Sequence, residues 1–140
     1  MHFKRGSMKR KLLIVIILSI TSLLIAEVPA KFIGIWQPEN GKVIYEIYFE
    51  NSAYYVKVVW VAEDADEMHK TKMGRNMIED LEYSPAKGSL INGKLVHEKR
   101  KIKCAIEKQS DGNLQVIFKA GIIKRTKTWI PGIMRTTGES

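Results

Sequence analysis

The chain has 140 residues, 27% charged and 45% hydrophobic, values that exclude a disordered or collagen-like polymer and fit one domain. Its lone cysteine, Cys104, excludes an intramolecular disulfide framework and a multi-cysteine zinc site. A formal net charge of +8, from 23 Lys and Arg against 15 Asp and Glu, invites a nucleic-acid reading that the placement of those charges must support.

The placement does not support it. Residues 1–26 hold Lys4, Arg5, Lys9, Arg10 and Lys11 with no acid, then an apolar run over 12–26 broken only by Ser19, Thr21 and Ser22. A membrane span needs ~18–20 apolar residues, so a run of 15 reads as the core of an export signal peptide. Ala26 and Ala30 are small enough for cleavage, which leaves 114 or 110 residues. No cysteine follows either position, against a lipid anchor, and Met8 opens a complete basic segment of its own. An uncleaved anchor is the competing reading. Both readings put the folded part outside the cytoplasm, in the periplasm or secreted, and the cleaved chain has no stable membrane span. Without the five leading bases, 18 bases face 15 acids, a net of +3, so most of the basicity belongs to targeting and nucleic acid is not an expected partner. Residues 63–82 still carry seven acids against three bases, and residues 87–127 eleven bases against three acids. Such a split can orient a partner, but a solvated exterior is the simpler account.

Beyond the signal the chain reads as strands. Residues 32–37 form the first, and Pro38-Glu39-Asn40-Gly41 turns it. Over 42–50, Val43, Tyr45, Ile47 and Phe49 share one face, opposite Lys42, Glu46 and Glu50. Over 54–61, Tyr54, Val56, Val58 and Trp60 share a face, and Asn51-Ser52 joins the two strands as a hairpin. Met73, Met77, Ile78 and Leu81 fall at helical spacing, which predicts one short helix over 75–82. Asn92-Gly93 lies between 89–91 and 94–96 and predicts a two-residue hairpin turn, because both of its positions favour positive φ. Lys99, Lys101 and Lys103 alternate with Ile102, Cys104 and Ile106. After the turn at 110–113, Leu114, Val116 and Phe118 line an inner face; Ala120-Gly121 breaks the chain, 122–130 is the last strand, and 134–140 reads as a loose tail. The class is all-β, with seven to eight short antiparallel strands and one short helix. A meander closed into a barrel removes exposed edges and is preferred to a sandwich, with an OB-like barrel as the alternative.

Gly34-Ile35-Trp36 at the start of the first strand and Arg125-Thr126-Lys127-Thr128-Trp129 in the last resemble the ends of a family of small exported bacterial proteins of unassigned function, whose domain is lipocalin-like. Gly74, after a charged loop, matches that family's central glycine. The resemblance spans residues 32–130 and implies a small lipocalin-like barrel over 31–131, with 132–140 as a tail. The chain departs from the family where it reads Asp66-Glu67-Met68-His69-Lys70-Thr71-Lys72-Met73 before Gly74, and at Ile130-Pro131 after the closing Trp. Physically, a Trp entering from the first strand can plug one barrel end, and an Arg from the last can stack on its ring. Gly34, Trp36, Arg125 and Trp129 are therefore the expected closure residues, with Arg125 the expected partner of Trp36.

No recognisable catalytic or metal pattern stands out. His69, His97 and Cys104 lack ligand spacing, and no nucleophile elbow, phosphate loop or HExxH occurs. No enzyme activity, metal or cofactor is expected. Glu46 and Glu50 read as solvated, and the lysines at 99, 101 and 103 as an outward stripe that discourages edge pairing. The expected function is an exported, non-catalytic binding protein holding a small apolar or amphipathic ligand. The candidate interior comprises Tyr45, Ile47, Phe49, Tyr54, Val56, Val58, Trp60, Ile102, Cys104, Val116 and Phe118. The alternative is a filled core in a cell-envelope protein-interaction module. A continuous apolar cavity of ~300 Å³ or more favours a ligand; a solid interior with an exposed apolar patch favours a protein partner.

Overall fold

The computed structural model describes residues 29–96 and 99–135. The expected signal over 1–26, the residues His97 and Glu98, and positions 136–140 lie outside the described residues. The chain divides into two units, Met1–Lys31 and Phe32–Ser140. Of the first unit only positions 29–31 are described, as the start of the 3-10 turn Pro29–Phe32.

The second unit is an eight-stranded meander: β1 (Gly34–Pro38), β2 (Val43–Glu50), β3 (Ala53–Val61), β4 (Asn76–Ser84), β5 (Ser89–Leu95), β6 (Lys103–Lys108), β7 (Leu114–Ala120) and β8 (Ile123–Pro131). Each strand runs antiparallel to the next, and β8 pairs back on β1 through Trp36–Pro131, Gln37–Ile130 and Pro38–Trp129, closing the barrel. Closure leaves no free sheet edge. The turns follow local chemistry. Asn51 and Ser52 both take positive φ, 50° and 65°, and such a two-residue turn matches the right-handed twist of β2 and β3. At Gly41, φ is +67° and the amide N–H donates to the Pro38 carbonyl at 3.0 Å.

Inside, Phe32, Trp36, Ile47, Tyr54, Val56, Val58, Leu81, Leu90, Ile106, Leu114, Val116 and Trp129 join one buried cluster. Each large apolar side chain removed from water contributes roughly 1.5–3 kcal/mol. The Trp36 indole N–H donates to the Phe32 carbonyl at 3.0 Å, and among the described residues no buried side-chain N or O lacks a partner.

Three local expectations are overturned, each by a slip in strand register. The segment expected as a helix over 75–82 is the strand β4; the helix, α1 (Glu67–Thr71), lies upstream. Across β3–β4, Tyr54, Val56 and Lys57 face Leu81, Ile78 and Asn76, so β4 carries an extra residue in each interval. One extra residue is Met77; in the other interval Asp80 takes φ +62°. Extra residues push successive inward positions from two apart to three, and the result imitates a helical stripe. Asn92-Gly93 is likewise no hairpin turn. It lies inside the continuous strand β5, with Asn92 at φ +61°, and the β5–β6 register slips between Leu90 and Gly93. Gly93 is required by contact, since a Cβ there would sit 2.5 Å from Leu81 Cδ2.

Trp60 is the third. The β2–β3 register slips so that Ile44 faces Trp60 while Tyr45 faces Val58. Adjacent residues point to opposite faces, so with Tyr45 inside, Ile44 and Trp60 lie on the outer wall. Both are buried, yet neither joins the central cluster. The chain after β8 covers this outer patch. The Gly132 N–H donates to the Ile35 carbonyl at 2.8 Å, and the Arg135 guanidinium sits 4.9 Å from the Trp60 ring centre. Positions 132–135 are thus attached to the barrel wall rather than loose.

Candidate ligand-binding site

An up-and-down meander sends alternate connections to opposite ends. The β1–β2, β3–β4, β5–β6 and β7–β8 connections share one end; the chain entry at Phe32 and the other hairpins share the second. The second end is filled. Phe32 is fully buried, with its ring 6.2 Å from that of Tyr83, and Lys108 Nζ lies 4.7 Å from the Trp36 ring centre.

The first end holds a cup of about 230 Å³. Tyr45, Met77, Leu95, Ile102, Phe118 and Trp129 supply its apolar and aromatic wall. Tyr45 and Trp129 stack with ring centres 4.2 Å apart and planes 17° from parallel. Burial, and secondarily the charge of Asp66, pushes the Tyr45 hydroxyl well above the usual phenol range, so it stays protonated at neutral pH.

Met68, His69 and Lys72, from α1 and the residue that caps it, complete one side. Asp66 positions this short helix. Its carboxylate accepts the His69 backbone N–H at 2.9 Å and contacts His69 Nδ1 at 2.6 Å. Those two hydrogen bonds, the backbone one first, hold the Asp66 carboxyl below the usual carboxylate range. At the other end of the helix the Thr71 hydroxyl donates to the Met68 carbonyl at 2.8 Å.

Arg125 and Lys127 complete the lining from β8. Strand alternation puts them on the same face as Trp129. Their register confirms it: Arg125 faces Phe118 and Lys127 faces Val116, both inward residues of β7. Among the described residues, neither cation has an ion-pair partner.

The sequence-derived residues divide between the two ends. Tyr45, Ile102 and Phe118 line the cup, together with Trp129. Ile47, Tyr54, Val56, Val58, Cys104 and Val116 lie in the packed cluster, away from the lining. Burial pushes the Cys104 thiol up to about 12. Phe49 is a correction. It shares the inward face but lies near the end of β2, is 56% exposed, and rests tilted against Tyr54. Trp60 belongs to the outer wall. Arg125 is not the partner of Trp36; Lys108 takes that position, and Arg125 faces the cup. Gly34 opens β1 at φ +142°, a conformation that suits glycine. The lining residues that sequence reasoning missed are Met68, His69, Lys72, Met77, Leu95 and Lys127. Lys127 was within reach, because counting back in twos from Trp129 gives Lys127 and Arg125.

The closed eight-stranded meander, with an open cup at one end and one short helix at its rim, is a lipocalin-like barrel. A solved structure shares this fold: protein HP1028 from Helicobacter pylori, described as belonging to the lipocalin family. It aligns at a TM-score of 0.53 and 16% identity over 73% of this chain and 83% of that one. No family model matches the chain, and no curated protein does.

Proposed function

We propose that this is an exported, non-catalytic binding protein that holds a small apolar or amphipathic molecule in the cup. The observation that carries this reading is the cup itself: an aromatic and aliphatic wall around about 230 Å³ at one end of a barrel packed solid at the other. That volume falls short of the ~300 Å³ named above as favouring a ligand, so the reading requires a small ligand, or one that projects from the mouth. Export rests on the basic and apolar leader over 1–26.

A second reading has an observation of its own. Ile122, at the tip of the β7–β8 turn, is fully exposed, and Ile123, Met68 and Met73 are exposed as well. These residues suit an envelope protein docking at the mouth. Native mass spectrometry of the protein purified from its own envelope separates the two readings. A co-purified small molecule, matched by a thermal shift when it is added back, supports the carrier. No bound molecule and no shift across a lipid and metabolite panel overturns it.

A further inference from the structure

A barrel position facing inward is ordinarily filled by an apolar side chain. On β8 the inward series includes Ile123, Arg125, Lys127 and Trp129, and two of these are cations. Across the ladder Arg125 faces Phe118, which lines the cup, and Lys127 faces Val116 of the packed cluster, and both cations are exposed. His69 and Lys72 stand in the same lining, and no carboxylate does. The nearby acid, Asp66, uses its carboxylate to cap α1 and hold His69, and its charge also feels Lys127. The result is an apolar floor whose lining carries cations and no carboxylate, the acid beside it, Asp66, being already bonded to His69, and that arrangement favours anions at the mouth.

We propose that the cup is selective for an anionic amphiphile. Its charged head is held by Arg125 and Lys127, and its tail lies against Tyr45, Ile102, Phe118 and Trp129. The proposal rests on the ligand-binding reading above and adds the charge of the ligand. A cup of about 230 Å³ suits a short tail rather than a long acyl chain. Arg125 can grip a carboxylate or sulfate in bidentate fashion, and Lys127 adds a point charge beside it.

Isothermal calorimetry on the full chain with four probes tests this: octanoate, 1-octanol, octyltrimethylammonium and acetate. Octanoate is expected to bind about tenfold more tightly than octanol, a gap that closes as salt is raised. Octyltrimethylammonium is expected to be the weakest of the three tailed probes, and acetate alone to show no measurable binding. The double variant Arg125→Gln/Lys127→Gln is expected to lose the preference for octanoate, its octanoate affinity falling by more than its octanol affinity. Both side chains are exposed, so the barrel should be retained, which circular dichroism checks. If the variant fails to fold, the salt titration of the unaltered chain decides alone. Equal, salt-independent binding of octanoate and octanol overturns the anion preference and leaves the carrier reading standing. Acetate binding as tightly as octanoate overturns the amphiphile and points to a plain anion site. No binding by any probe overturns the proposal and counts against the carrier reading as well.

Discussion

The two ends of the barrel are built from the same eight strands and do different things with them. At the filled end Phe32, Leu90, Ile106 and Leu114 are fully buried, and the interior is closed by contact between side chains. At the open end the inward positions are Phe118, Arg125 and Lys127, which leave space and carry charge. Stability and recognition are therefore separated along the barrel axis. A residue change at the filled end should register in unfolding, and one at the open end in binding.

The largest expected effect belongs to the packed interior. Leu81→Ala removes a fully buried side chain wedged against Gly93 and should cost about 2–5 kcal/mol in denaturant unfolding. A cost below 1 kcal/mol would show that this part of the barrel is not packed as described. Gly93→Ala tests the same contact from the other side. Its Cβ would meet Leu81 Cδ2 at 2.5 Å, so a loss of roughly 1–3 kcal/mol is expected. A residue there that served only as a turn would tolerate alanine differently: the double change Gly93→Ala/Leu81→Ala should be less destabilising than the sum of the two.

Phe118→Ala carries the contrast to the open end. The side chain is only partly buried, so unfolding should move by less than Leu81→Ala moves it, while affinity for a tailed probe falls severalfold. A variant that loses stability and keeps its ligand would merge the two ends into one. Asp66→Ala should cost about 1 kcal/mol or less, confined to α1, and be visible as faster amide exchange at His69. The Asp66 carboxyl is lowered in the folded chain, so its cap is in force above the ordinary carboxylate range and is lost as pH falls through the depressed value. Exchange at His69 should accelerate over that acid range in the unaltered chain and not in Asp66→Ala.

The smallest effect at neutral pH is at Cys104. With the thiol held up to about 12, folded protein should react with iodoacetamide at pH 8 far more slowly than urea-unfolded protein. A thiol raised on folding keeps its proton while the unfolded one loses it. The linked stability is thus full below the ordinary thiol value of 9.0 and declines as pH rises toward 12. Equal labelling rates in the two states would place Cys104 at the surface.

Much of the barrel was readable from local pattern. The alternation of Tyr54, Val56 and Val58, and of Cys104 with Ile106, follows from a two-residue repeat that any half-buried strand must show. Asn51-Ser52, Gly41 and Gly112 mark turns, and there their backbones take positive φ. Barrel closure was legible because so many short strands in sequence need their edges covered, and its lipocalin-like form was implied by the resemblance of the first and last strands. The cup was only partly legible: Tyr45, Ile102 and Phe118 came from alternation, but Met68, His69 and Lys72 reach it from a helix whose place depends on where β4 begins.

What a local pattern cannot carry is a register slip, because a bulge exists only relative to the strand opposite. Met77, Ile78 and Leu81 imitate a helix until β3 is set beside them, and Trp60 reads as interior until Ile44 is found facing it. Gly93 reads as a turn residue until Leu81 arrives within 2.5 Å of its missing Cβ. The chain alone specified strands, turns and an all-β class, since those rest on neighbours in sequence. Tertiary pairing decided which end of the barrel stays open and that Arg125 and Lys127 face into it, since facing is a property of two strands and not of one.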